Sequence, residues 1–143
     1  MSPETVRDAM VPEPTTLAAA ASAQDAGRCF ADSGEVRAIF VTEDSGRLLG
    51  VVTRKTLVRE VVAAGRDPGA VSVREIAEPP NFTLDAGLEL ESAFHFLEEH
   101  DLERVPVVED GRLVGVLSRA VVQRRLAEDE PPEAEPEAGS LVL

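Results

Sequence analysis

The sequence predicts a mixed α/β (α+β) fold made of two copies of one β-α-β-β-α unit, with small sheets packed against helices. Two alignments support this prediction. Segment 5–17, TVRDAMVPEPTTL, aligns with segment 72–84, SVREIAEPPNFTL. Segment 39–53, IFVTEDSGRLLGVVT, aligns with segment 105–118, VPVVEDGRLVGVLS, apart from the inserted Ser45. Because similar blocks recur in the same order, we expect two repeats related by a pseudo-twofold axis.

Each repeat is predicted to open with a short strand and a helix. The strands are TTL in the first copy and FTL in the second. The first helix is predicted over 18–31. In the second copy Asp85 suits an N-cap, because its carboxylate can accept a hydrogen bond from a free backbone N–H group. Apolar residues then recur every three or four positions and indicate one buried helical face: Leu90, Ala93, Phe94 and Leu97.

A hairpin and a second helix complete each repeat. AIFVT and VPVVE are dense in β-branched residues, and LLGVVT and LVGVLS are predicted to be the returning strands. Gly46 and Gly111 follow acidic turn residues and can adopt the positive φ that a tight hairpin turn needs. The last helices are predicted at about 55–64 and 119–127, where valines and leucines recur at helical spacing.

The repeat boundaries are predicted at 1–65 and 66–127, followed by a tail at 128–143. AGRDPG, at 64–69, contains two glycines and a proline and is predicted to be the linker. The tail is acidic and rich in proline, which predicts disorder. A repeat of about 60 residues buries too little surface alone. We therefore expect the repeats to pack face to face, and the outer helices to pair in the same way between chains as a homodimer.

Composition excludes several classes of function. The chain of 143 residues carries 27 acidic and 14 basic residues, a net charge of −13, so a nucleic-acid partner is not expected. The single cysteine, Cys29, predicts neither a disulfide nor a thiolate metal site. MSPETVRDAM lacks the features of a signal peptide, and no apolar run approaches the ~18 residues of a membrane span. We expect a soluble, cytoplasmic protein without a membrane partner.

Catalytic and metal-binding patterns are also missing from the sequence. His95 and His100 are five positions apart, so they do not share a helical face, and His95 with Glu99 offers only two ligands. Neither of the two common phosphate-binding glycine motifs, the P-loop and G-x-G-x-x-G, is present. The sequence therefore predicts no catalytic residue, no metal site and no required cofactor.

The duplicated plan, with RVPVVEDGRLVGVLSR in the second copy, closely resembles the cystathionine-β-synthase (CBS) domain pair, also called a Bateman module. The resemblance covers about residues 5–127. It implies that clefts between the paired repeats bind adenine nucleotides or related ligands and that binding shifts the activity of an attached or partner protein. In that family the site usually ends in Ser/Thr-x-x-Asp: the hydroxyl faces phosphate, and the aspartate binds the ribose hydroxyls.

This sequence matches only the first part of that motif. The copies read Thr53-Arg54-Lys55-Thr56 and Ser118-Arg119-Ala120-Val121. A hydroxyl at the start of a helix, followed by an arginine, suits a phosphate. N-capping alone explains the hydroxyl equally well, and an exposed, solvated role is the more common one for the two arginines. The threonines at the first strands match cleft positions of the family, and strand-edge structure explains them about as well. Phe82 is placed to contact a base, but a core position is expected because the chain has so few aromatic residues. The candidate ligand-binding residues are Thr53, Arg54, Thr56, Ser118, Arg119, Thr16 and Thr83.

The missing aspartate leaves two functions open. Each charge-assisted bond from a ribose hydroxyl to a carboxylate contributes about 1.5–3 kcal/mol, so its loss weakens binding about tenfold or more. Thr56 can still accept a bond and Val121 cannot, which favours the cleft beside Thr53 and Thr56. The first function is a regulatory module that senses AMP, ADP, ATP or a related adenosine ligand and acts on a separately encoded target. The alternative is a structural dimerisation module that has lost nucleotide binding, and the missing carboxylates favour it.

Overall fold

The computed structural model describes residues 4–12 and 14–129. Its helices are 4 to 11 residues long. They are α1 (Val6–Ala9), α2 (Ala23–Asp32), α3 (Arg54–Leu57) continued by a π-helical segment (Val58–Val62), α4 (Val73–Ile76), α5 (Leu90–Glu99) and α6 (Arg119–Asp129). No helix in these ranges is long and apolar enough to cross a membrane. The strands are β1 (Val11–Pro12), β2 (Thr16–Ala18), β3 (Ile39–Thr42), β4 (Leu48–Val52), β5 (Leu84–Asp85), β6 (Arg104–Glu109) and β7 (Arg112–Ser118).

The strands form two small mixed sheets, one for each repeat. The first has the order β2-β3-β4, with β2 parallel to β3 and β4 antiparallel to it. The second has the order β1-β7-β6-β5, and its β5-β6-β7 part repeats the same arrangement. The predicted mixed α/β fold with two β-α-β-β-α repeats is therefore confirmed.

The opening segment of each repeat packs on the sheet of the other repeat. Val6 and Ala9 of α1 lie in the core formed by α5, β6 and β7. Conversely, Val73 and Ile76 of α4 lie in the core formed by α2, β3 and β4. We call the β2-β3-β4 sheet with α2, α3, the π-helical segment and α4 the first half, and the other sheet with α1, α5 and α6 the second half. This exchange buries the apolar faces of α1 and α4 and ties the halves together.

Two glycines allow the exchanged segments to cross the sheets. A Cβ atom on Gly50 would lie 2.8 Å from both Ala77 Cβ and the Glu78 carbonyl oxygen. A Cβ atom on Gly115 would lie 2.6 Å from Met10 Sδ and 2.9 Å from the Val11 carbonyl oxygen. Glycine is needed at both positions because any side chain would push the crossing segment away from the strand.

The hairpin turns of the two repeats also contact each other. Gly46 and Gly111 have φ values of +94° and +81°, which confirms the predicted turn conformation. The backbone N–H group of Leu113 donates to the Gly46 carbonyl oxygen at 3.0 Å, and that of Leu48 donates to the Gly111 carbonyl oxygen at 3.3 Å. These bonds join the sheets at the end where the strands turn.

Several element boundaries differ from the sequence predictions. The helix predicted from residue 18 begins at Ala23, because Ser22 and Asp25 form a reciprocal capping box that fixes the start of α2. Helices α1 and α4 were not predicted. They follow Thr5 and Ser72, each of which has an acidic residue three positions later, so a capping-box pattern marks both.

The last helix is longer than predicted. It runs through Asp129, two residues past the predicted end at 127. Glu128 and Asp129 thus belong to α6, and the remainder of the predicted tail, 130–143, lies outside the described residues.

Candidate functional site

A cleft of about 580 Å³ opens between the two halves. Its walls are largely built from matched positions of the two repeats. Matched pairs that line the cleft include Thr53 with Ser118, Thr56 with Val121, Val51 with Val116, Thr15 with Phe82, and Val11 with Glu78. The pseudo-twofold arrangement thus brings both hydroxyl-bearing helix starts to a single cavity.

On the first-half side, Thr53 and Thr56 form a reciprocal capping box at the start of α3. Thr53 Oγ1 accepts a hydrogen bond from the Thr56 N–H group at 3.2 Å, and Thr56 Oγ1 accepts one from the Thr53 N–H group at 3.1 Å. The two hydroxyl oxygens lie 3.0 Å apart. Thr56 is fully buried, and its hydroxyl donates to Glu78 Oε2 at 2.9 Å. A hydroxyl has one donor and two acceptor sites, so the Thr56 hydroxyl is saturated within the protein.

Glu78 brings a carboxylate to this side of the cleft. Its backbone pairs with Val51 through bonds of 2.8 and 2.9 Å, so β4 fixes its position. Oε2 accepts from Thr56 and also from Arg59 Nη2 at 2.6 Å. The Thr56 bond and then the Arg59 guanidinium lower the pKa of Glu78, so it is ionised at neutral pH. Sequence reasoning missed Glu78, although a glutamate aligned with Val11 of the other copy was the available signal.

On the second-half side of the cleft, the positions matched to Thr56 and Glu78 are apolar. Val121 is matched to Thr56 in the alignment of the repeats, and its side chain has no polar atom. Ser118 Oγ accepts a long bond of 3.5 Å from the Val121 N–H group. Val11, matched to Glu78, is 57% exposed and can bind a ligand only through apolar contact. The two sides of one cleft therefore differ in chemistry despite their common plan.

The Arg54 side chain is held by backbone carbonyl groups at and beyond the end of α2. Its guanidinium donates to the carbonyl oxygens of Val36 at 2.7 Å, Phe30 at 3.1 Å and Ser33 at 3.4 Å. Its Cζ also lies 4.8 Å from the centre of the Phe30 ring, within range of a cation–π interaction. Arg54 is not among the described residues that line the cleft, and it holds the end of α2 to the start of α3.

The Arg119 side chain is also bound to other residues of the protein. Its guanidinium pairs with Glu103 and, at 3.5 Å, with Asp101. The Glu103 hydrogen bond raises the pKa of Arg119 further. This arginine, too, is missing from the cleft walls within the described ranges.

The two predicted strand threonines lie beside the cleft without lining it. Thr16 and Thr83 are exposed, whereas the residues immediately before them, Thr15 and Phe82, line the cavity. Successive side chains of an extended segment point in opposite directions, so a shift of one position moves the contact to the neighbouring residue. Phe82 also contacts Phe96, with ring centres 5.4 Å apart, and is only partly buried.

Two other arginines reach the cleft. Arg37 and Arg104 both line it and are exposed, and within residues 4–12 and 14–129 neither forms an ion pair. Arg37 lies two residues before β3, and Arg104 is the first residue of β6. Sequence reasoning missed them, although both repeats place an arginine at the entry to the central strand.

The described residues contain no group of three or more His, Cys, Asp or Glu side chains arranged to hold a metal ion. His95 and Glu99 thus remain without a third ligand in that part of the chain.

Comparisons with known proteins agree on one family. The CBS-domain model matches residues 6–63 and again 73–128. Hypoxic response protein 1 of Mycobacterium tuberculosis is 32% identical over 130 residues, which span 87% of this chain and 86% of that protein.

Solved structures extend the similarity. The crystal structure of Hypoxic Response Protein I with two coordinated zinc ions has a TM-score of 0.73 and 29% identity, and the match covers 85% of this chain and 98% of that one. The structure of CBSX2 in complex with AMP has a TM-score of 0.69 and 26% identity, with coverage of 87% and 96%. The similarity thus extends over nearly the full length of both solved chains.

Proposed function

The chain belongs to the CBS-domain family, as a pair of CBS repeats, and on this basis we propose that it is a non-catalytic regulatory module that senses a small ligand. The ligand class is an adenosine-containing nucleotide such as AMP, ADP or ATP. Binding in the cleft between the halves changes how the module acts on a separately encoded protein target.

The observation that carries the proposal is the cleft itself. Its volume of about 580 Å³ falls within the range of small-molecule sites, which run from about 300 to 1,000 Å³. Apolar residues of both sheets, such as Val51 and Val116, can enclose a base, while Thr53 and Ser118 bring hydroxyls to the same space. The AMP complex of the similar protein CBSX2 supports the ligand class.

Arg37 and Arg104 are the proposed phosphate contacts. Both line the cleft and are exposed, so a phosphate can approach them without breaking an internal ion pair among the described residues. A guanidinium offers a planar fork of N–H donors that matches two phosphate oxygens. Arg54 and Arg119, by contrast, would first have to leave their carbonyl and carboxylate partners.

A structural module that does not bind nucleotides is the second candidate. It is favoured by the internal bonds that occupy Arg54 and Arg119, and by Val121 at the matched ribose position. Under this function the pairing of the repeats serves only to present the outer helices to other proteins.

We also propose that the chain forms a homodimer through its outer helices. Val58 and Val62 of the π-helical segment are 57% and 73% exposed. They lie at or next to an apolar depression of about 420 Å³ between α2 and that segment. A symmetric pairing of this face with its copy would remove these valines from water. A monomeric mass in light scattering at micromolar concentration would exclude this dimer.

Thermal unfolding with a nucleotide panel tests the regulatory function. A ligand at 100 times its Kd stabilises the fold by about 2.7 kcal/mol. For a domain of this size the melting temperature should rise by roughly 5–10 °C. AMP, ADP, ATP, NAD and S-adenosylmethionine form the panel, with calorimetry to confirm a hit. An unchanged melting temperature with every compound, together with no heat of binding, would favour the structural module.

A further inference from the structure

We propose that Glu78 supplies the carboxylate that binds a ligand's neighbouring hydroxyl groups on the first-half side of the cleft. The carboxylate comes from the opening segment of the second repeat, not from the helix that follows Thr53. This inference rests on the proposed function, since it identifies the residue that recognises the sugar of the nucleotide.

Thr56 cannot take this role without breaking internal bonds. Its hydroxyl donates to Glu78, and it receives bonds from the N–H group and the hydroxyl of Thr53. A hydroxyl with one donated and two accepted bonds has no remaining site for a ligand. Because Thr56 is also fully buried, the accessible polar group at this point of the cleft is its partner, Glu78.

Glu78 retains acceptor capacity toward the cleft. Both side-chain bonds, from Thr56 and from Arg59, go to Oε2, and Oε1 accepts none from any residue in the described ranges. An ionised carboxylate can accept about four hydrogen bonds. The side chain is 50% exposed, so a ligand hydroxyl can reach it without first displacing a buried group.

The protein also holds this carboxylate in place before a ligand arrives. The hydrogen bonds to Val51 fix the backbone of Glu78, and those from Thr56 and Arg59 fix its carboxylate group. The same bonds keep the group ionised, and an ionised acceptor forms stronger bonds to hydroxyl donors than a neutral one does. A fixed acceptor also lowers the entropy cost of ordering on binding.

The second half lacks this arrangement. Val11 and Val121 occupy the positions matched to Glu78 and Thr56, and neither side chain can accept a hydrogen bond. The sugar therefore binds on the first-half side only, and we expect one nucleotide per chain.

The experiment compares AMP with 2′,3′-dideoxy-AMP by titration calorimetry. The wild-type chain is compared with Glu78→Gln, which removes the charge and keeps the size of the side chain. The control is Glu60→Gln, because Glu60 also pairs with Arg59, through Nε at 3.1 Å, but does not line the cleft. Melting temperatures without ligand establish that each variant is folded.

We expect the wild-type chain and Glu60→Gln to bind AMP at least tenfold more tightly than the dideoxy nucleotide. Glu78→Gln should weaken AMP binding about tenfold and leave dideoxy binding nearly unchanged, so that the preference disappears. If Glu78→Gln keeps the preference, or weakens both nucleotides equally, the inference is wrong and the proposed function stands. If the folded wild-type chain binds no nucleotide, the proposed function fails and the inference fails with it.

Discussion

The first and second halves share a scaffold and differ in the chemistry of the cleft between them. Both pair a short parallel strand with an antiparallel hairpin, and both use a glycine, Gly50 or Gly115, where the exchanged segment crosses. At the cleft, the first half has the Thr56–Glu78 bond, whereas the second has Val121. Two copies of a unit can thus keep their packing positions while a polar pair on one side of the shared cavity, Thr56 with Glu78, is matched by two valines on the other, Val121 and Val11.

The glycine crossings should give the largest effects on stability. Gly50→Ala forces a Cβ atom against backbone and Ala77 at 2.8 Å, whereas part of the clash at Gly115 is with the flexible side chain of Met10. Overpacking of this kind costs about 1–3 kcal/mol, and we expect Gly50→Ala at the upper end and Gly115→Ala below it. Urea unfolding monitored by circular dichroism measures both.

Gly27→Ala is the matched control for the crossings. A Cβ atom there meets nothing within 4 Å, and the residue lies inside α2. Alanine in a helix is favoured over glycine by about 0.5–1 kcal/mol, so this variant should be slightly more stable than the wild-type chain. Equal effects of all three substitutions would show that the crossings are not closely packed.

Substitution of Thr56 should lower the stability of the fold more than substitution of Val121, the residue matched to it in the second half. Thr56→Val leaves the Thr53 N–H group without its acceptor and removes one of the two donors to Glu78, at a cost of about 1–2 kcal/mol. Val121→Thr adds a hydroxyl at a half-buried position on the cleft and should change stability by less than about 0.5 kcal/mol. Thermal unfolding of the two variants separates the predictions. A larger loss of stability from Val121→Thr than from Thr56→Val would contradict this prediction.

The smallest effects are expected from the two arginines that follow the hydroxyl residues. Arg54→Ala removes three bonds to carbonyl oxygens and the contact with Phe30, and should cost about 0.5–1 kcal/mol because the side chain is exposed. Arg119→Ala removes ion pairs with exposed carboxylates and should cost less, with a dependence on salt. Neither should change AMP affinity more than twofold in calorimetry. A tenfold loss of AMP affinity in either variant would show that the substituted arginine contributes to ligand binding.

Local patterns in the sequence predicted the repeats, the hairpins and the helix-start hydroxyls. The turn glycines and the runs of β-branched residues depend on backbone preferences that act within a few positions. For the same reason Thr53, Thr56 and Ser118 could be assigned to helix starts, and all three line the cleft. The contacts of the arginine side chains next to these hydroxyls, Arg54 and Arg119, could not be predicted. They depend on partners that are distant in sequence, such as Phe30 and Glu103.

Repetition and periodicity are properties of the order of residues, so they are enough to identify a duplicated mixed α/β unit whose two helix starts carry hydroxyls. Which residues share the cleft depends on the packing of segments that are distant in sequence. The exchange of opening segments brings Glu78 of the second repeat onto Thr56 of the first, 22 positions away along the chain. It also turns Thr15, Arg37 and Arg104 toward the cavity. These neighbours are set by how two buried surfaces pack, and a contact between distant segments leaves no periodic trace in the sequence.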